Sequence, residues 1–139
     1  MENTNNEIRN ENERGYRAEI IEGATGMTKK EQLMFLDLTD CISLDEATKE
    51  SPVMIENIGA DSFALISVHN EKAENKDYQV LVLIDGKGVR YRTGSESFYN
   101  AFRDIYDQMN GSGEVWGIKA FRKPSKNYTG RDFFTCTVI

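Results

Sequence analysis

Between Thr93 and Gly111 the large apolar side chains recur at helical spacing, with Phe98, Ala101, Phe102, Ile105 and Met109 on one side of a helix. Thr93 and Glu96 have the spacing of a capping box, and Asn110-Gly111 supplies a stop. Elsewhere the apolar residues come mostly as alternations or short runs bounded by Gly, Pro, Asn and Asp, which is the pattern of strands and turns. A single helix of about four turns, set late among β segments, restricts the chain to a mainly β fold with one principal helix.

The β segments can be read in order. Residues 1–14 are rich in Asn, Glu and Arg with Ile8 as the one aliphatic side chain after Met1, and are expected to form a flexible tail. Tyr16 to Ile21 can pair as an extra strand before the break at 23–26. Glu31 to Leu38 reads as a buried strand, and Ser43 to Glu46 as a helical turn that Pro52 would stop. Val53 to Val68 is β-rich with an interruption at Gly59, Ala60 and Asp61, as for one long bent strand or a kinked hairpin. The polar stretch at 69–78 leads to Tyr78–Ile84, whose core, Val80 to Leu83, is apolar throughout. Asp85-Gly86 turns the chain into a short strand, Val89 to Arg92. After the helix, Val115 to Phe121 and Phe133 to Ile139 are the arms of a terminal hairpin joined by a polar turn.

Two or three strands, a helix and two strands match the β-β-β-α-β-β order of an OB-like five-stranded barrel, a platform for oligonucleotides and oligosaccharides. With 139 residues the chain suits a single domain, here 15–139 after the tail. No apolar run approaches the length needed to cross a bilayer, and the first residues lack the apolar stretch of a signal peptide, so a cytoplasmic protein is expected. Cys41 and Cys136 sit in apolar surroundings without metal or disulfide spacing and read as small core residues.

The net charge of −6 argues against a phosphate-bearing partner until its distribution is considered. Residues 1–77 carry 8 basic and 17 acidic side chains, whereas residues 78–139 carry 9 basic and 6 acidic. At the C-terminal end Lys119, Arg122, Lys123, Lys126 and Arg131 face a single acid in their stretch, Asp132. Local field, not net charge, decides what a surface attracts.

Within this basic half, rings lie beside cations. Tyr91 stands between Arg90 and Arg92, and Phe121 precedes Arg122 and Lys123. The turn adds Lys126, Tyr128 and Arg131. Single-stranded nucleic acid is held in this way, rings stacking on bases while cations track the backbone. Two readings stand for Tyr91 and Phe121, base-stacking rings or core residues flanked by solvated charges. The basic turn is either a phosphate-wrapping tip or a solvated loop. Trp116, the sole tryptophan, reads more readily as core than as a stacking platform.

Catalytic and metal chemistry find little footing. His69 is the only histidine and lies in a polar segment, so no His pair or Ser-His-Asp set can be assembled around it. Asp37, Asp40, Asp45 and Glu46 lack the spacing of a calcium loop, and Gly86-x-Gly88 opens no helix. Neither enzyme activity nor a metal or cofactor is expected.

The last sixty or so residues resemble small phage-encoded single-stranded DNA-binding proteins. The likeness rests on VLVLIDGKGVRYRTGSESFYNAFRDIYDQM and on VWGIKAFRKPSKNYTGRDFFTCTVI, with Lys123, Ser125, Gly130, Arg131 and Phe133 at the hairpin tip. It implies an OB-type protein that coats single-stranded DNA in phage replication or recombination without sequence preference, in the host cytoplasm and alongside replication proteins. Arg90, Tyr91, Arg92, Lys119, Phe121, Arg122, Lys123, Lys126, Tyr128 and Arg131 would then form the contact surface. The acidic N-terminal half departs from the likeness. It leaves a rival of another class, a phage protein that binds and inhibits a host or defence protein through its acidic surface.

Overall fold

Val80 to Leu83 are apolar in succession because β5 (Asp77–Ile84) is covered on both faces. In the computed structural model, which describes residues 15–24, 26–124 and 132–139, this strand lies at the centre of a five-stranded sheet. It pairs antiparallel with β4 (Phe63–Asn70) and β6 (Arg90–Thr93). β1 (Tyr16–Gly23) forms one edge, antiparallel to β4, and the two-residue β2 (Ile42–Ser43) forms the other, parallel to β6. A second, antiparallel sheet holds β3 (Val53–Ile55), β7 (Ile118–Pro124) and β8 (Asp132–Val138), with β7 in the middle.

Strand alternation divides the interior into two cores. Phe63, Leu65, Leu81 and Leu83 point to one side of the large sheet, where they meet the small sheet and the helix α3 (Glu96–Met109). Phe98 and Phe102 of α3 are fully buried there, the first stacked on Phe134 at 4.7 Å between ring centroids, the second edge-to-face with Phe63 at 5.4 Å. Each such ring contributes about 1.5–3 kcal/mol by burial alone. Ala64, Ile66, Val68, Val80 and Val82 point to the opposite side, where Phe35 of α1 (Lys29–Phe35) and the loop after it close a smaller core.

A mainly β architecture with two sheets and helices is what results, and the sheets do not close into the expected five-stranded barrel. Three strands, a helix and two strands do follow one another from Phe63 to Val138, but the last two pair with β3 in a sheet of their own. The interruption at Gly59–Asp61 is the reason. It does not bend one strand but separates two, β3 in the small sheet and β4 in the large one, with Asn57 in a left-handed turn at φ 57°.

The expected strand over 31–38 is largely the helix α1. Thr28 and Glu31 form a reciprocal capping box, with Thr28 Oγ1 accepting from the Glu31 amide at 3.2 Å and Glu31 Oε1 from the Thr28 amide at 2.9 Å. Its apolar run is not uniformly buried either, since Leu33 and Met34 face solvent, Phe35 is buried, and Leu36 and Leu38 are only partly covered where they pack on the smaller core. The turn at Ser43–Glu46 is the short helix α2 (Leu44–Ala47), capped by Ser43. In α3 the cap is Ser95, whose Oγ accepts from the Phe98 amide at 3.1 Å; Thr93 is buried at the end of β6. Asn110 and Gly111, the latter at φ 82°, end that helix as expected. Among the described residues no helix is long and apolar enough to cross a membrane. The tail at 1–14 lies outside the described residues.

Candidate nucleic-acid interface

On β7 the residues alternate between ring or cation and small apolar, and the pleat sorts them. Ile118 and Ala120 are fully buried against α3 and the large sheet, so Lys119, Phe121 and Lys123 lie on the other face, toward solvent. The β7–β8 register sets Lys119 opposite Thr137, Phe121 opposite Thr135 and Lys123 opposite Phe133, and β3 adds Met54 beside Lys119. None of these outer-face residues is acidic. Phe133 is 42% exposed, with the Lys123 Nζ 5.6 Å from its ring centroid, and the Lys119 Nζ lies 5.3 Å from that of Phe121. Two cations and two rings are thus held at strand spacing on the outer face, around a buried Thr135, each ring with a cation beside it.

Phe133 was not among the expected contact residues, although its place could be read from the sequence. Phe133 and Phe134 are adjacent on a strand, so one must point outward if the other is core.

The remaining expected contacts are dispersed. Arg122, on the inner face of β7, turns toward α2: its Nε donates to Thr48 Oγ1 at 3.2 Å and its Nη2 to the Asp45 carbonyl at 2.9 Å, with the guanidinium 5.0 Å above the Phe134 ring. Arg90, Tyr91 and Arg92 belong to the large sheet. Arg90 Nη1 donates to the carbonyls of Met34 and Asp37, both at 2.6 Å, and so ties the end of α1 to β6. Tyr91 is a core residue, 8% exposed, with its hydroxyl near Asp85 Oδ2 at 3.4 Å; burial, with Asp85 nearby, raises its pKa. Arg92 is exposed on the α1 side, beside a groove of about 640 Å³ lined in part by Tyr16 and Tyr78. Lys126, Tyr128 and Arg131 lie outside the described residues. Trp116 is buried in the main core, edge-to-face with Tyr106.

Two further titratable sites bear on the chemistry. The His69 ring donates from Nδ1 to Asp77 Oδ1 at 2.7 Å and from Nε2 to Glu71 Oε2 at 2.5 Å. Carboxylates on both nitrogens favour the charged ring, and these bonds, first to Asp77 and then to Glu71, raise its pKa. Held between these two carboxylates, the ring stitches the β4–β5 hairpin together. Burial pushes the Cys136 thiol up to about 12, which keeps it protonated and unreactive.

The chain matches no protein-family model, no curated protein and no solved structure.

Proposed function

We propose that the protein binds single-stranded DNA across the outer face of the three-stranded sheet, without sequence preference and without catalysis. One observation carries the reading: Phe133 and Phe121 stand on the outer face of β7 and β8, each beside a lysine. Every base offers a π-face to a ring, and a lysine next to the ring meets the adjoining phosphate, so such a face grips a single strand whatever its sequence. OB-type proteins use the same pairing of rings and cations on strands. The resemblance of the C-terminal segments to phage-encoded single-stranded DNA-binding proteins supports a role in phage replication or recombination. Lys119, Phe121, Lys123 and Phe133 are the contacts, and Arg122, Arg90 and Tyr91 support the fold.

Fluorescence anisotropy with labelled oligo(dT) at low salt tests this. Phe133→Ala should weaken binding by about 1–3 kcal/mol for the removal of one stack, with the thermal transition nearly unchanged because the ring is surface. Failure of the wild-type protein to bind, or equal binding by Phe133→Ala and Phe121→Ala, overturns the reading.

A further inference from the structure

On the α3 side of the large sheet the side chains change from apolar to polar along two neighbouring strands. β4 presents Phe63, Leu65 and Ser67, and directly opposite them β5 presents Leu83, Leu81 and Gln79. Phe102 of α3 packs on Phe63, at the first of these rungs. The helix begins at Glu96, shortly after Thr93, which pairs with Leu81, so its first turn reaches the second rung and leaves Gln79 on the third exposed.

A cleft of about 410 Å³ lies between the sheet and this first turn, a size ordinary for small-molecule sites. Leu65, Leu81 and Thr93, all buried, line it from the sheet. Glu96, Tyr99 and Asn100, at i, i+3 and i+4 on one side of α3, line it from the helix, and the Tyr99 hydroxyl donates to Glu22, which fixes the ring. Gln79 and, from the β4–β5 turn, Asn75 complete the polar lining.

The hydroxyls beside the cleft are taken up by the helix cap, Thr93 Oγ1 accepting from the Ser95 amide and Ser95 Oγ from the Phe98 amide. The side chains of Asn75, Gln79, Glu96 and Asn100 make no hydrogen bond or ion pair among the described residues. Three amides that both donate and accept, with one carboxylate that accepts only, therefore border a space with an apolar floor. No cation lines it among the described residues, and Glu96 repels anions. The ligand that fits is uncharged, with donors and acceptors around its rim, adjacent donors for the carboxylate and one apolar face.

A pyranose sugar has this make-up. Each hydroxyl donates and accepts, neighbouring hydroxyls reach the two oxygens of one carboxylate, and the C–H face is apolar. A nucleobase fits less well, because Tyr78 packs on the smaller core on the other side of the sheet and leaves Tyr99 as the one lining ring on this side among the described residues.

We propose that this cleft binds a neutral pyranose sugar, with Gln79, Glu96 and Asn100 taking its hydroxyls and Leu65 and Tyr99 meeting its apolar face. It stands independently of the nucleic-acid reading, which uses the other sheet.

Nitrogen–proton NMR of the full chain, titrated in turn with glucose, galactose, mannose and N-acetylglucosamine, reads the outcome. At least one sugar should give saturable shifts at the side-chain amides of Gln79 and Asn100 and at the Gly94 backbone, in the millimolar range that a few hydrogen bonds to a small ligand allow. Gln79→Ala and Glu96→Ala should each weaken that sugar by about tenfold, with the thermal transition nearly unchanged because both side chains are exposed. The methyl glycoside of the same sugar identifies the source: equal binding assigns the cleft to the end unit of a glycan, and loss of binding assigns it to the free sugar. Absence of saturable shifts at these residues with every sugar overturns the proposal, as do variants that bind as the wild type does. Adenosine or thymidine saturating the cleft more tightly than all the sugars overturns it too.

Discussion

Replacing Arg122 by Ala separates a structural arginine from a nucleic-acid contact. Its guanidinium bridges β7 to α2 through Thr48 Oγ1 and the Asp45 carbonyl, and covers the Phe134 ring. A hydrogen bond from a charged donor contributes about 1.5–3 kcal/mol when buried, and since this side chain is only half-buried we take about 1 kcal/mol for each. Stacking on Phe134 adds about 0.5–1 kcal/mol, so Arg122→Ala should cost roughly 2–3 kcal/mol. Urea unfolding followed by Trp116 fluorescence measures it, because that tryptophan is the only one in the chain and is 5% exposed in the fold. With a denaturant slope of about 2 kcal/mol per M, the midpoint should fall by roughly 1 M. Affinity of the folded variant for oligo(dT), and the salt dependence of that affinity, should stay as in the wild type. A stability change under about 0.5 kcal/mol, the range of ordinary surface sites, joined to a shallower salt dependence, would refute the assignment and return Arg122 to the DNA-binding surface.

Phe102→Ala should destabilise by about 3–5 kcal/mol, since the ring is fully buried against Phe63 and Tyr106 and leaves a cavity; an effect below about 1 kcal/mol in the same urea assay would place the α3 face outside the core. His69, the only histidine, should titrate by NMR above its ordinary value of 6.5, because its pKa is raised by Asp77 and Glu71. A raised folded pKa means that its contribution to stability is fully present below about pH 6.5 and is lost as pH rises through the folded value. His69→Asn should flatten that decline above about pH 6.5, and titration at or below 6.5 would show that the clamp does not hold in solution.

The parts of this fold that were legible in the sequence are those where a local signal and burial agree. The α3 face at Phe98, Phe102 and Ile105, the Asn110-Gly111 stop and the apolar run at Val80–Leu83 stand where periodicity sets them, and the terminal hairpin forms with its first arm starting at Ile118 instead of Val115 and reaching Pro124. Leu33 to Leu36 misled because a short apolar run does not distinguish strand from helix; Thr28 and Glu31, three residues apart, held the deciding signal. Barrel closure was beyond the sequence, since it depends on which sheet each strand joins, and the assignment of β3 to the small sheet turns on the chain between Glu56 and Ser62.

The site divides in the same way. Cations and rings were visible as neighbours along the chain, but on a strand neighbours point apart, and the face each side chain takes depends on what its strand packs against. Arg122 thus separates from Lys119 and Lys123, while Phe133 joins them from across the hairpin. Arg90 was indistinguishable from Arg92 in sequence; only the approach of the Met34 and Asp37 carbonyls, more than fifty residues away, makes one a tie and leaves the other exposed.

The most direct measurement is the salt dependence of oligo(dT) affinity for the wild type and for Lys119→Ala/Lys123→Ala. Each lysine that meets a phosphate releases counterions on binding, so the slope of log K against log salt should be negative for the wild type. In the variant it should be shallower by roughly 0.7 for each phosphate left without its lysine, with urea stability unchanged because both side chains lie on the outer face. A wild type that binds no oligo(dT) at low salt, or a variant whose slope and affinity equal the wild type's, would contradict the account.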